Sequence, residues 1–382
     1  MSIITNIFIH ICQYNQSKTS FTFKKSVFLY NKVILRKRGI LIMETIYVSG
    51  YTREDNKGIH TLTLNADKQA FEASELIIEE SNPTYMSLSN DGQHLFTLSD
   101  GDEPGVAHYE IIDGRFSLKD RIKVFNENGC YVTYDEETSV LYVANYKKGE
   151  LAVIKVNEDG TLTLTDLIQH TSPVGPHENQ DFAHAHFIHP TNDHQFILSC
   201  DLGTDEVHTY QLTDDYKLSE VSVYKAAPGT GPRHLAFHHS KPIVYLLGEL
   251  DYTVEVLTIQ SDGSLIAGNR YHTIPSDWTE FNSSAAIRLS HDNKFLYVSN
   301  RGHNSITVFE VSEDGQSLTE IQNISTKGDF PRDFNFNADE SFVIVGHQFQ
   351  PQISLFTRNQ TSGLLSYVDN TSINEIVCVT PV

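Results

Sequence analysis

The sequence predicts an all-β fold, a seven-bladed β-propeller of four-stranded antiparallel blades closed by its last strand. Three observations carry that expectation: an apolar strand recurring seven times, a meander around each copy, and a strand missing at the start that reappears at the end. The recurring strand occupies residues 46–50, 95–99, 141–145, 196–200, 244–248, 296–300 and 343–347. From Met43 to Val382 the seven copies divide the chain into units of about 48 residues, close to the period of roughly 40 to 50 for propeller blades. One closed domain, 43–382, is therefore expected.

Later copies follow a first strand, as at 82–92, 231–239 and 284–293, which at 82–92 and 284–293 runs into an Asp/Asn turn. A third strand with strict alternation comes next, at 59–64, 106–111, 151–156, 207–212, 253–259, 306–311 and 353–356. Alternation marks a strand buried on one face. Turns rich in Asn, Asp and Gly (157–160, 261–263, 312–315) then lead to a fourth strand, such as 162–168 or 318–324. Those residues tolerate the positive φ of tight hairpins. The first unit lacks an opening strand, because residues 44–49 already have the second-strand pattern, while 375–380 form an orphan strand at the other end. Pairing the orphan into the first blade closes the ring and leaves no exposed sheet edge at the seam. A β-sandwich would not explain a deficit at one end and a surplus at the other. Trp278 is the only tryptophan, which argues against repeats of the Trp-Asp type.

The chain carries 28 Lys+Arg against 49 Asp+Glu, a formal charge of -21. Such acidity repels nucleic acid and anionic membrane surfaces, so neither is expected as a partner. Four cysteines (Cys12, Cys130, Cys200, Cys378) lie far apart without C-x-x-C spacing, and are read as reduced thiols of a cytoplasmic protein. No stretch of 18 apolar residues suggests a membrane span. Residues 1–42 differ in kind, with seven Lys/Arg and no Asp or Glu. They read as a basic extension outside the fold, without the layout of a secretory signal. Codons for Arg38-Gly39 can spell a ribosome-binding site, so translation is expected to start at Met43.

The repeat allows blades to be compared with one another. Counting back four from the apolar residue before the first turn gives the column Thr84, Cys130, His184, Arg233, Ala285, Arg332. The residue after each second strand gives another: Tyr51, Asp100, Tyr146, Asp201, Glu249, Arg301, Gln348. First and second strands are antiparallel neighbours, so the start of one and the end of the other share a face of the disc. Both columns then ring one mouth of the channel. Charged members fall in four successive blades: His184 and Asp201, Arg233 and Glu249, Arg301, and Arg332. Clustered guanidiniums in so acidic a protein point to a small anionic ligand, because Arg grips phosphate and carboxylate with a planar fork. The plainer alternatives are an internal Arg233–Glu249 ion pair and an Arg332 neutralised by Asp333 or Asp329. In the histidine-rich run 177–189, His184 and His186 would share a strand face as zinc ligands can, yet no third ligand has diagnostic spacing. No metal or other cofactor is expected.

Several segments together resemble the seven-bladed propeller lactonase family, which includes bacterial 6-phosphogluconolactonases and fungal carboxy-muconate lactonizing enzymes. They are Gly231-Pro-Arg-His-Leu-Ala-Phe-His238 with Glu249 behind it, His184-Ala-His-Phe-Ile-His-Pro190, Tyr297-Val-Ser-Asn-Arg-Gly-His-Asn-Ser-Ile306 and Phe330-Pro-Arg-Asp-Phe334. The resemblance covers Met43 to the C-terminus. It implies catalytic residues at His184, Glu249, Arg233 and Arg301; Arg332, Asp201 and His234, from the same mouth, are expected as substrate contacts. It also implies hydrolysis of 6-phosphoglucono-1,5-lactone to 6-phosphogluconate in the pentose phosphate pathway. That chemistry needs an activated water, donors for a developing oxyanion and a grip on phosphate. His184 or Glu249 would be the general base; one of Arg233 and Arg301 would stabilise the oxyanion and the other, with Arg332, would hold the phosphate. No Gly-x-Ser-x-Gly elbow suggests serine catalysis. A lactonase or cycloisomerase acting on a carboxylated lactone could use the same four residues, and a non-catalytic propeller scaffold is the remaining reading. A monomer or homodimer with a small anionic lactone as its partner is expected.

Overall fold

A computed structural model describes residues 33–36 and 39–382, with side chains from Met43 onward. The described residues form strands and no helix, arranged as seven sheets. The fold is a seven-bladed β-propeller with four antiparallel strands per blade. Blade 5 is representative, running through Pro232–Phe237, Ile243–Gly248, Thr253–Ile259 and Leu265–His272 from the channel outward. Its second strand is buried at every residue, because neighbouring blades cover both faces. The outermost strand of blade 4, Leu218–Lys225, alternates between half-buried and exposed residues where only one face is covered.

The ring closes as the strand deficit and surplus require. Ile376–Pro381 pairs antiparallel with Gly39–Gly50, placing Val48 opposite Val379 and Ser49 opposite Cys378, as the inner strand of blade 1. Side chains from blade 7 lock this seam. Asp333 Oδ2 accepts from the Val379 amide at 2.9 Å, Asn335 Nδ2 donates to the Val379 carbonyl at 3.0 Å, and Asn337 Nδ2 donates to both oxygens of buried Glu44 at 3.0 Å. Of the basic N-terminal extension, Val33–Arg36 pairs with the leading part of Gly39–Gly50. Residues 1–32, 37 and 38 lie outside the described residues, and the expected start at Met43 goes untested with them.

Neighbouring blades are tied by repeating devices. Asp120, Asp166, Gln322 and Asp369 each accept the amide of Leu162, Leu218, Leu365 or Phe71 at the start of the next outer strand, at 2.7 to 2.9 Å. Fully buried Tyr245 and Tyr297 donate their hydroxyls to the Gly315 and Gly363 carbonyls, in the outer turn of the following blade. A buried tyrosine needs such a partner, and the glycine of the outer turn supplies it.

One irregularity matters for the site. In blades 4, 5 and 7 the pairing of first with second strand skips one residue near the start, leaving His186, Arg233 and Arg332 without an opposite number. A bulge of this kind re-aims its extra side chain.

Candidate active site

The bulged residues point into one mouth of the channel, where a cavity of about 370 Å³ is lined by His186, Arg233, His234, Glu249, Arg301 and Arg332 together with Tyr51, Tyr146 and others. Gly231 lets the Arg233 strand enter: its φ is 61°, and a Cβ there would lie 2.5 Å from Leu250 Cγ. Its carbonyl accepts the Glu249 amide at 2.9 Å, which fixes the carboxylate beside the guanidinium. Blade 7 repeats the arrangement with Phe330 (φ 65°) before Pro331-Arg332, and the Phe330 carbonyl accepts the Gln348 amide at 3.0 Å. A bulky residue in the left-handed region is strained. Here the Phe330 ring is held 5.2 Å from the Arg301 guanidinium carbon.

Glu249 is the hub. Its Oε2 lies 2.7 Å from Arg233 Nε, a charge contact off hydrogen-bond alignment, and its Oε1 lies 2.8 Å from Arg301 Nη2 and accepts from Ser283 Oγ at 2.9 Å. Arg301 also donates to the carbonyls of Ser283 and Ser284, both at 3.1 Å, and Arg233 Nη1 donates to the Ala285 carbonyl. Two guanidiniums from adjacent blades are thus clamped on one carboxylate. Burial pushes the Glu249 carboxyl up, but the Arg301 and Arg233 charges outweigh it and hold the group far below the usual carboxylate range. Burial, then the Arg301 charge, lowers the proton affinity of Arg233. Arginine nevertheless stays charged at neutral pH.

Arg332 differs from both. It donates to Gln348 Oε1 at 3.0 Å and lies 5.8 Å from the Tyr51 ring, with no carboxylate in ion-pair range among the described residues. Asp333 pairs instead with Arg288 at 2.9 Å, and Asp329 accepts from Asn304. The expectation that Arg332 is neutralised at the rim therefore fails. The Arg233–Glu249 pair does form, but it faces the cavity and is shared with Arg301.

Two expected site residues stand elsewhere. His184 does not line the cavity; His186 does. The first strand of blade 4 ends at Pro190, not Ile188, as the Thr191 amide bonding the Phe196 carbonyl shows by analogy with His238 and Ile243 in blade 5. Counting from Ile188 thus landed two residues early. His184 is buried with Nδ1 2.8 Å from the Tyr146 carbonyl and Nε2 3.0 Å from Asp181, its ring stacked on Tyr146. Asp201 is fully buried away from the cavity. It accepts the His184 and Thr204 amides on Oδ1 and pairs with His170 Nδ1 at 2.7 Å on Oδ2. Both its oxygens are thereby engaged by the protein.

His186 and His234 both face the guanidiniums. Burial, then the Arg233 charge, drives both imidazoles well below the usual histidine range, so both are neutral. His234 Nε2 lies 3.3 Å from Arg233 Nη1, whereas neither His186 nitrogen has a hydrogen-bond partner among the described residues, and its Nδ1 is buried. A neutral imidazole without a partner has a ring nitrogen free to accept a hydrogen bond from a bound water. The His186 position was readable in the sequence only as the second histidine of His184-Ala-His186. The aromatic floor is Tyr85 against Tyr131 at 4.4 Å, with His234 edge-on to both. No group of three His, Cys, Asp or Glu able to hold a metal ion occurs among the described residues, and no helix there could cross a membrane.

Residues 45–381 match the family described as lactonase, 7-bladed beta-propeller. A Bacillus subtilis protein named 6-phosphogluconolactonase is 33% identical over 339 residues, covering 87% of this chain and 97% of its own. Among solved structures, a Lactobacillus plantarum protein superposes with a TM-score of 0.86 at 39% identity, covering 89% of this chain and 99% of that one. The Pseudomonas aeruginosa periplasmic gluconolactonase gives 0.83 at 26% identity, covering 89% and 99%.

Proposed function

Because this chain belongs to the seven-bladed β-propeller lactonase family, we propose that it hydrolyses a phosphorylated sugar lactone, 6-phosphoglucono-1,5-lactone, to 6-phosphogluconate. The observation that carries this reading is an Arg332 without a carboxylate partner among the described residues, set in the same cavity as the Arg233–Glu249–Arg301 clamp. A cation left uncompensated in a concave, partly dry site is a binding site for an anion. One relative named above is a 6-phosphogluconolactonase and another a gluconolactonase, and their substrates differ by a phosphate. Arg332 is the residue that would read it.

In this reading His186 takes a proton from water as the water oxygen attacks the lactone carbonyl. Arg233 and Arg301 face the oxygen on which negative charge develops. Donors of this kind contribute about 10²–10³ in rate, and a positioned base about 10²–10⁴. Glu249 is unsuited to be the base, since both its oxygens are engaged by Arg233, Arg301 and Ser283. Its part is to fix the two guanidiniums and offset their charge until substrate arrives. A phosphorylated substrate would place the enzyme in the cytoplasm, where Cys130, Cys200 and Cys378 remain free thiols.

The test is lactone loss above the spontaneous rate for 6-phosphoglucono-1,5-lactone, glucono-1,5-lactone and a carboxylated muconolactone, with wild type and Arg332→Ala. A lost charge-assisted contact of about 1.5–3 kcal/mol should raise KM for the phosphorylated lactone about 10- to 100-fold, with little change for the unphosphorylated one. Equal effects on both remove Arg332 from phosphate binding. Preference for the carboxylated lactone would favour the alternative substrate class, and no turnover of any lactone would reject the reading.

A further inference from the structure

Tyr146 follows the second strand of blade 3 and lines the cavity. Its hydroxyl has no hydrogen-bond partner among the described residues, unlike the tyrosines that tie blades together. Its ring is held firmly nonetheless. One face stacks on His184, with ring centroids 4.0 Å apart and planes 13° from parallel, and its edge meets His186 at 5.7 Å. His184 is itself fixed at both nitrogens, by Asp181 and by the Tyr146 carbonyl, and by Phe182, whose ring centroid is 4.1 Å away. The Asp201 carboxylate anchors the His184 amide beneath. So much apparatus behind an unpartnered phenol at the wall of a catalytic cavity calls for a role.

Resting on the lactonase reading, we infer that the Tyr146 hydroxyl is a catalytic proton donor to the leaving ring oxygen, and that His184 is its positioning residue. Opening a lactone expels an alkoxide, whose conjugate alcohol is a weak acid; collapse of the tetrahedral intermediate is fast only if that oxygen is protonated as the bond breaks. The balance closes within the cavity. Water loses a proton to His186 and its oxygen bonds the carbonyl carbon. The ring C–O bond then breaks with its electron pair on oxygen, and the phenol proton passes to that oxygen. Protonated His186 returns its proton to the Tyr146 phenolate. Burial, then the Glu249 charge, raises the phenol above its ordinary range, so it stays protonated until the alkoxide forms.

The experiment uses the full chain and whichever of the phosphorylated or carboxylated lactones wild type hydrolyses, with variants Tyr146→Phe, His184→Ala and the double variant. Tyr146→Phe deletes only an oxygen that makes no hydrogen bond among the described residues, so its thermal midpoint should match wild type. Its kcat should fall about 100-fold, at the low end of general acid effects, with KM within about threefold. His184→Ala should lower kcat with little change in KM, and should lower it no further once the hydroxyl is gone. A kcat loss under about threefold for Tyr146→Phe, or a loss expressed in KM, overturns the donor role. Full additivity in the double variant overturns positioning and leaves His184 structural. Absence of any lactone hydrolysis by wild type would instead take down the lactonase reading together with this one, so the two failures are distinct.

Discussion

Replacing Glu249 with Gln keeps the shape of the clamp and removes its charge. In the native protein the carboxylate lies 2.7 Å from Arg233 and 2.8 Å from Arg301, both of them buried. At an effective dielectric of about 20, each contact is worth about 4 kcal/mol of attraction near 4 Å charge separation. Desolvation offsets part of this, and removing one partner of a buried ion pair typically costs about 3–5 kcal/mol because the other charge stays behind. Here two charges stay behind. For a domain of about 340 residues, with an unfolding entropy of about 2.1 cal/mol/K per residue, 3–5 kcal/mol lowers the thermal midpoint by about 4–7 °C. The orphaned guanidiniums should then seek an anion. Inorganic phosphate at about 100 times its Kd returns about 2.7 kcal/mol, or about 4 °C. Differential scanning calorimetry at pH 7.5 and low ionic strength, with and without phosphate, reads both effects. A Glu249→Gln midpoint within about 1 °C of wild type, or the same phosphate shift in both proteins, would refute the claim that this carboxylate neutralises the anion site.

Asp201→Asn should lower the midpoint by about 2–4 °C, through weakening of the buried hydrogen bond between His170 and a charged carboxylate, worth about 1.5–3 kcal/mol, while KM for the lactone stays within about threefold; a large rise in KM with an unchanged midpoint would return Asp201 to the site. Stability should also fall as pH drops below about 6.5. His186 and His234 stay neutral in the fold while the unfolded chain takes up their protons, and each contributes up to about 1.4 kcal/mol per pH unit. The depressed Glu249 carboxyl adds to the loss once pH falls below the ordinary carboxylate range, and His347, pushed down by burial to about 4, contributes in the same direction as the site histidines. Midpoints measured between pH 7.5 and 5.5 should show a shallower decline for His186→Asn and for His234→Asn; an unaltered slope would mean that these rings already protonate in the fold.

Much of the site was legible because a repeat protein carries its own internal comparison. Arg233, Glu249, Arg301 and Arg332 were selected by position, and all four line one cavity together with His234, the neighbour of Arg233. His184 was misplaced for a specific reason. Side chains in a strand alternate with a period of two, so a count that slips by two residues keeps every apolar residue on its proper face and leaves no trace in the pattern. Only hydrogen-bond register, with Pro190 opposite Ile197 and His186 unpaired, distinguishes the two histidines. Asp201 illustrates a second limit. It follows its strand as Glu249 does, but it turns inward to two backbone amides and His170, and composition does not say which way a carboxylate turns.

Periodicity and the unequal ends of the chain were enough to specify a ring of seven four-stranded units and its closure, because each apolar strand must be covered on both faces and no edge can be left open. What the folded molecule alone decided was which residues face inward at the mouth. A bulge inserts one residue into the ladder, and its direction depends on pairing between strands that the linear pattern does not record. The neutral His186 and the Arg332 guanidinium reach one cavity for that reason, and the phenol of Tyr146 meets them there.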